Sequence, residues 1–442
     1  MFIPSHWASV EHTHPSVTGA LNRLAIEWID HLMCDSSGRS TRRRFLAAIG
    51  AFGTASVPGC LDDDDGSVEP SETPTPKATP TQTPTSNGYR VETVVDGFSH
   101  PWGMAVVPGE ASLLVTELGG TLSLVDSSDG TITPIDGVPE VHASGQGGLL
   151  DVEVHPDTQT APVVYLTYVA TDGDGASATH LARGRLDLES GSLDDTEVLY
   201  VVEPFSGGTQ HYGSRVVVDD GYVYLTSGDR GDKTFDESHQ SQDLTTGIGS
   251  TIRLTDDGAI PEDNPFVDDP AALDELYSYG HRNAQGLTIH PETGALWSSE
   301  HGERDGDALH IIESGGNYGW PIAHTGCAYG TTDPVGDDPF DRDDIVEPVY
   351  HWPCTSGGFP PAGMTFYNGE AFADWQGDLF VGNLAGRYLG RFNVEGREVE
   401  EVDALLADRG WRIRDVTVEP DTGHLLVAVD DDPAPLIRIV PE

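Results

Sequence analysis

The sequence predicts an all-β protein and, within that class, a six-bladed β-propeller. Three observations carry the prediction. From about Tyr89 onward, apolar residues come in short runs rich in Val, Leu, Ile, Tyr and Thr, punctuated by Gly, Asp and Pro. No helical periodicity is sustained, so the runs read as strands. One unit then recurs six times: a small or polar residue, a short apolar strand, a turn, and a second apolar strand that ends in a polar loop. Fixed-order repeats of this length call for a solenoid or a propeller, and a hairpin in every unit favours the propeller. A pair of β-sandwiches is the competing arrangement, and it would make the repeats coincidental.

In chain order the units are GMAVVPGEASLLVTELGG (103–120), GLLDVEVHPDTQTAPVVYLTYVA (148–170) and SRVVVDDGYVYLTSGDRG (214–231). GLTIHPETGALWSSEHGE (286–303), GMTFYNGEAFADWQGDLFVGNLAG (363–386) and RDVTVEPDTGHLLVAVDDD (414–432) complete the set. Each reads as the two inner strands of a blade. Outer strands fall between them, as at Thr179–Asp187 and Tyr388–Val394. A propeller gathers its loops at one end of a central channel, so the polar loops are expected to converge.

The chain has 442 residues, with 73 acidic against 23 basic side chains and a formal charge of −50. That charge argues against binding nucleic acid or an anionic membrane through the fold itself. Scarce Lys with abundant Asp fits a protein kept soluble in very high salt, where self-repulsion is screened. Of four cysteines, Cys34 and Cys60 lie near the N-terminus, and only Cys327 and Cys354 belong to the fold. A disulfide and two buried thiols are both open for that pair.

Residues 41–60, TRRRFLAAIGAFGTASVPGC, resemble a twin-arginine export signal ending in a lipobox, with Cys60 as the lipidated residue. The apolar run is too short to span a bilayer. Residues 1–32 are unusual ahead of such a signal, and Met33 is an alternative start to Met1. Residues 61–88 are rich in Asp, Thr and Pro, cannot bury a core, and read as an extended tether. The expectation is an exported domain over 89–442, held to the cell surface only by its lipid.

The loops offer the chemistry. His211, in TQHYGSR, is a candidate general base, because histidine titrates near working pH. Gln146 sits in a Gly-flanked loop that lets a ligand approach the backbone closely. Arg282 and Asn283, in GHRNAQGL, are donors for an anionic or carbonyl-rich ligand. SEHGERDGDA is rich in oxygen ligands of the kind Ca2+ takes, without the EF-hand spacing. Arg412 and Arg414 are two apart, so on a strand they would share a face and pinch carboxylates. Alternatively, they pair with neighbouring Asp residues of this acidic chain.

Together HPWGMAVVP, GQGGLLDV, HYGSR with YLTSGDRG, YGHRNAQGL, SSEHGE, GGNYGWP, PAGMTFY and WRIRD form a specific set. It resembles the soluble PQQ-dependent glucose and aldose sugar dehydrogenases, the glucose/sorbosone dehydrogenase family, over nearly all of 95–440. The resemblance implies a six-bladed propeller that binds pyrroloquinoline quinone (PQQ) with Ca2+ and oxidises the C1 hydroxyl of aldoses to the lactone. By that resemblance His211 takes the hydroxyl proton, and Gln146, Arg282 and Asn283 contact the cofactor. Arg282 would polarise its quinone oxygens. Arg412 and Arg414 would hold its carboxylates. Gly302 and Glu303 would give backbone carbonyls to Ca2+, and Asp430 falls at an acidic contact.

The chain departs from the family pattern in places. Gln210 stands where the glucose enzyme has an Asp beside the base, and Ala385 where it has a cofactor-binding Lys, with Arg387 as a nearby substitute. His301 replaces a Gln, and Glu303 replaces a Pro. These departures keep two other readings open: a Ca2+-dependent propeller lactonase and a non-catalytic surface binding module. No CxxCH haem-attachment motif is present, so electrons would leave to a separate acceptor. The sequence does not name the sugar.

Overall fold

The computed structural model describes residues 88–157 and 162–442. The export signal, Cys60 and all but the last residue of the tether lie outside the described residues.

Six four-stranded antiparallel sheets follow one another along the chain. Their innermost strands are Pro101–Val106, Leu149–Val154, Val216–Asp219, Ala284–Ile289, Pro361–Phe366 and Ile413–Val418. Each contacts the next and the last contacts the first, which closes a ring around a central channel. This is the six-bladed propeller, and its six inner hairpins coincide with the six sequence units, overrunning them by at most two residues at either end. In the third blade Asp219 pairs with Tyr222, and Asp220-Gly221 between them both have positive φ. Asp-Gly suits such a two-residue turn, because Gly adopts positive φ without steric cost.

The sixth blade is closed by the other end of the domain. Tyr89–Phe98 is its outermost strand, with Tyr89 opposite Pro441. A ring sealed this way leaves no open seam between first and last blades. The fourth blade carries a two-stranded hairpin, Ala323–Cys327 with Pro334–Gly336, before its outer strand Tyr350–His351. Cys327 is disulfide-bonded to Cys354, which decides the question the sequence left open.

The core sits between neighbouring blades. Leu114, Leu149, Val152 and Leu166 fill the gap between the first two, and Trp297, Phe359, Phe366 and Phe392 the gap between the fourth and fifth. The channel itself is plugged by charge. Arg215 bonds Asp151 at 2.8 Å, lies 3.3 Å from Asp415, and donates to the carbonyls of Gln285 and Arg414. The carboxylates in turn accept from Val216 and Met104 N–H, so one ionic cluster ties five of the six inner strands together. Burial raises both carboxyls against the pull of Arg215. Below the plug, at the exit ends of the inner strands, the channel opens into a cavity of about 590 Å3.

Candidate active site

The opposite end of the channel holds the loops that enter the inner strands. His211 lies there, buried, with φ of +52°. A non-glycine residue in that region is strained and persists only when its surroundings hold it. Here its N–H donates to Gln146 Oε1 at 2.8 Å, and its carbonyl accepts from Arg230 N–H at 3.2 Å. Gly228 passes so close that any side chain there would collide with the His211 carbonyl.

The ring of His211 is oriented by Asp229. Nδ1 is 2.6 Å from Asp229 Oδ1. The carboxylate is an acceptor, so Nδ1 carries the proton and Nε2 keeps its lone pair. Nε2 has no partner among the described residues. Asp229 is itself buried and fully engaged: Oδ1 also accepts from Gly231 N–H and Oδ2 from Trp320 Nε1, both at 2.8 Å. Gln210, which the family pattern placed beside the base, is exposed, and Asp229 supplies the carboxylate instead. Asp229 and Trp320 are two site residues that the sequence reading missed. The available signal was SGDRG, which closes the same hairpin that His211 opens.

Arg282 and Asn283 enter the fourth blade beside this pair. Asn283 Oδ1 accepts from Gly213 N–H at 3.1 Å, so its amide also shapes the base loop. The Arg282 carbonyl accepts from Asp229 N–H at 2.7 Å. Its backbone N–H is held by Glu300, whose other oxygen takes His281 Nδ1 at 2.8 Å. Burial opposes ionisation of Glu300, but His281, His310 and the Arg282 N–H hold the carboxyl at about 2. The Arg282 guanidinium donates to Glu303 Oε2 at 2.8 Å and to the His301 carbonyl at 3.3 Å, while its buried Nε has no partner. Lys233, half-exposed on the loop after Asp229, clamps both Glu303 oxygens at 2.7 and 2.8 Å. The sequence reading used only the Glu303 backbone and did not find Lys233, because the two lie 70 residues apart.

Gly302 and Glu303 present their carbonyls in the same loop, and neither accepts a hydrogen bond among the described residues. Among those residues no group of three or more His, Cys, Asp or Glu side chains converges on a metal position. A cation here would therefore rest on carbonyls and on its ligand. Asp307 holds the loop, accepting from Gly302 N–H at 2.9 Å and Phe359 N–H at 2.7 Å.

Arg412 and Arg414 form the second cationic cluster. Only Arg414 lies in the strand Ile413–Val418, yet both guanidinia reach Asp430 Oδ2, at 3.0 and 2.7 Å. Asp430 Oδ1 meets His100 Nδ1 at 2.9 Å. Burial works against the charged form of Asp430, but Arg414, His100 and Arg412 outweigh it and hold the carboxyl well below the aspartate range. Arg414 also donates to Gln285 Oε1, and its buried Nε has no partner. Between the clusters sits His301, its Nε2 2.6 Å from the Pro361 carbonyl. Burial, then the charges of Arg282 and Arg414, push its imidazole down to about 3, so it stays neutral. Arg387 is exposed and donates to the Gly410 carbonyl.

The family described as Glucose / Sorbosone dehydrogenase matches residues 98–438. The chain is 37% identical over 360 residues to the aldose sugar dehydrogenase YliI of Escherichia coli (strain K12), covering 79% of this chain and 92% of that protein. The crystal structure of the soluble aldose sugar dehydrogenase from Escherichia coli in the apo-form superposes with a TM-score of 0.74 at 36% identity, over 80% of this chain and all of that one. The PQQ-bound form of aldose sugar dehydrogenase from Streptomyces coelicolor gives 0.64 at 27% identity, over 79% and 98%. The chain belongs to the glucose/sorbosone dehydrogenase family.

Proposed function

We propose that this chain is a quinoprotein dehydrogenase that oxidises the C1 hydroxyl of aldose sugars to the lactone. The observation that carries the reading is His211 on Asp229: a fixed tautomer with a bare Nε2 at the mouth of the channel. On this reading that nitrogen takes the C1 hydroxyl proton, and Asp229 stabilises the imidazolium that results. Bound PQQ supplies the two-electron acceptor for the C1 hydride.

The residues present fit such a cofactor. Arg282 and Lys233 against Glu303 leave one net positive charge, as do Arg412 and Arg414 against Asp430. Each cluster also holds a buried guanidinium Nε without a partner, which a small anion with several carboxylates would satisfy. Gln146 and Asn283 border the same space, and Gly302 and Glu303 offer free carbonyls to Ca2+. Electrons pass on to a separate acceptor. We carry the exported, Cys60-anchored location as part of the same proposal.

The test is a titration of the full chain in molar KCl with PQQ and Ca2+, followed by absorbance after adding a panel of aldoses. Stoichiometric binding with sugar-dependent bleaching is expected, and His211→Ala keeps binding but loses turnover. No binding by folded protein would overturn the reading in favour of a non-catalytic module. Wild-type turnover in His211→Ala would mean that the base is misassigned.

A further inference from the structure

Two exposed aromatic rings stand at the mouth of the site, and neither the base nor the arginine clusters use them. Phe235 is 43% exposed, on the loop that follows Asp229, and Tyr329 is 63% exposed, at the turn of the fourth-blade hairpin. Lys233 joins them: its Nζ lies 5.8 Å from the Phe235 ring and 5.5 Å from the Tyr329 ring. The same ammonium is bonded to Glu303, and Glu303 to Arg282. Phe235 packs edge-on against Trp320 at 5.8 Å, and Trp320 holds Asp229. The rim therefore begins one side chain out from Arg282, through Glu303, and two out from His211, through Asp229 and Trp320.

Tyr329 is held there by structure that makes no use of its ring. Its hairpin is stapled by Cys327–Cys354, and Cys327 exchanges two backbone hydrogen bonds with Arg304, at 3.0 and 3.1 Å. Ala328 N–H bonds the Asp333 carbonyl at 3.0 Å and closes the turn. A large ring fixed in solvent on a braced turn gains little for folding and is available to a ligand.

We propose that Phe235, Lys233 and Tyr329 form an outer subsite for the second sugar unit of an oligosaccharide whose reducing end is oxidised at His211. The inference rests on the aldose-oxidation reading. A pyranose has two apolar C–H faces and a belt of hydroxyls. Flat aromatic rings flanking a donor ammonium match both. Position 4 lies across the ring from C1. With C1 turned inward to His211, a 4-linked unit is directed outward to the rim. The occupant is continuous with the reacting sugar, which places it on this face.

The experiment compares the wild-type full chain and Tyr329→Ala, each loaded with PQQ and Ca2+, on glucose and maltose. Tyr329 packs on little, so the variant keeps its fold. The expected result is a loss of about tenfold in kcat/KM for maltose, carried by KM, with glucose changed less than about twofold. Tyr329→Trp should retain the preference. A companion titration uses methyl maltoside, whose blocked C1 cannot react. Its Kd should rise about tenfold in Tyr329→Ala. Equal effects on glucose and maltose, or an unchanged methyl maltoside Kd, would overturn the subsite. So would a change confined to the KM of the electron acceptor, because the rim would then belong to the acceptor. A wild type that binds methyl maltoside through Tyr329 but oxidises no aldose would leave the subsite standing and sink the dehydrogenase reading.

Discussion

Asp229→Asn tests the centre of the site, because it keeps the shape and removes the charge. In the wild type Oδ1 accepts from His211 Nδ1 and Gly231 N–H, and Oδ2 accepts from Trp320 Nε1. An asparagine has one oxygen. Turned toward His211 it serves two of the three donors, and turned toward Trp320 it serves one. The first orientation is favoured, so Nδ1 keeps its proton and Nε2 stays bare. What is lost is the counter-charge to the imidazolium. A hydrogen bond to a charged group contributes about 1.5–3 kcal/mol. At about 1.36 kcal/mol per decade, kcat should fall roughly 10- to 150-fold. The NH2 now faces Trp320 Nε1, and leaving that buried donor unpaired should cost about 1–3 kcal/mol of stability. Dye-linked aldose oxidation at saturating cofactor reads the first number, and urea unfolding reads the second. If kcat stays within about threefold of wild type while the stability loss appears, Asp229 is a structural acceptor and not the positioning partner of the base. A fall of about 10^4-fold would mean that the amide has turned and inverted the His211 tautomer.

Three further outcomes follow from the same geometry. Glu153 borders the channel cavity and is lifted from 4.5 to about 8 by burial, with Asp151 and Asp415 adding to the rise. Its folded value lies above its unfolded one, so stability falls as pH climbs through that window. Glu153→Gln should leave stability unchanged at pH near 4 and raise it by about 1–3 kcal/mol at pH near 9, because cavity water softens the full penalty. Urea midpoints that shift equally at both pH values would contradict this. Replacing Cys327 and Cys354 together by Ser opens a link spanning 27 residues. The chain-entropy account puts the loss at about 3–4 kcal/mol, measured by thermal or urea unfolding. With a formal charge of −50, Tm should climb steeply between about 0.1 and 1 M KCl, and a salt-independent Tm would remove the high-salt reading.

Much of the fold was legible because its period is local. All six inner hairpins lie within single stretches of about 20 residues, where apolar runs and turn residues report directly on pairing. The last blade was less legible: Tyr89–Phe98 pairs with Ala434–Pro441 across almost the whole domain, and no local pattern announces that closure. The site divides the same way. His211 and Arg282 stand out in Gly-rich loops, and Arg414 at the head of an inner strand. Asp229 lies in one too, SGDRG, but 18 residues from His211, and nothing local pairs the two. The two strands of the third-blade hairpin return the chain to the end where it began, which sets position 229 against 211. Lys233 and Glu303 belong to different blades, so only the assembled ring brings them together. The Arg412 and Arg414 pair was read as a carboxylate pincer or as partners of Asp, and in the structure Asp430 sits between the two guanidinia.

That arrangement bears on how so acidic a chain could attract an anion. At low salt a charge of −50 repels any multiply charged carboxylate approaching the channel. At about 1 M salt the screening length shrinks to roughly 3 Å, so the exposed charges that make up most of the −50 are largely screened. The directly bonded groups then matter most, and each trio of two cations and one carboxylate is positive by one. Asp430 and Glu303 keep four cations close together without discharging them all, and each leaves one guanidinium Nε unpartnered. Removing either carboxylate would raise the local charge, but it would also strand a buried arginine, at a cost of about 3–5 kcal/mol. On the proposed reading the two carboxylates are therefore part of the binding surface: they hold the buried arginines in place and leave each trio one positive charge for an anionic ligand.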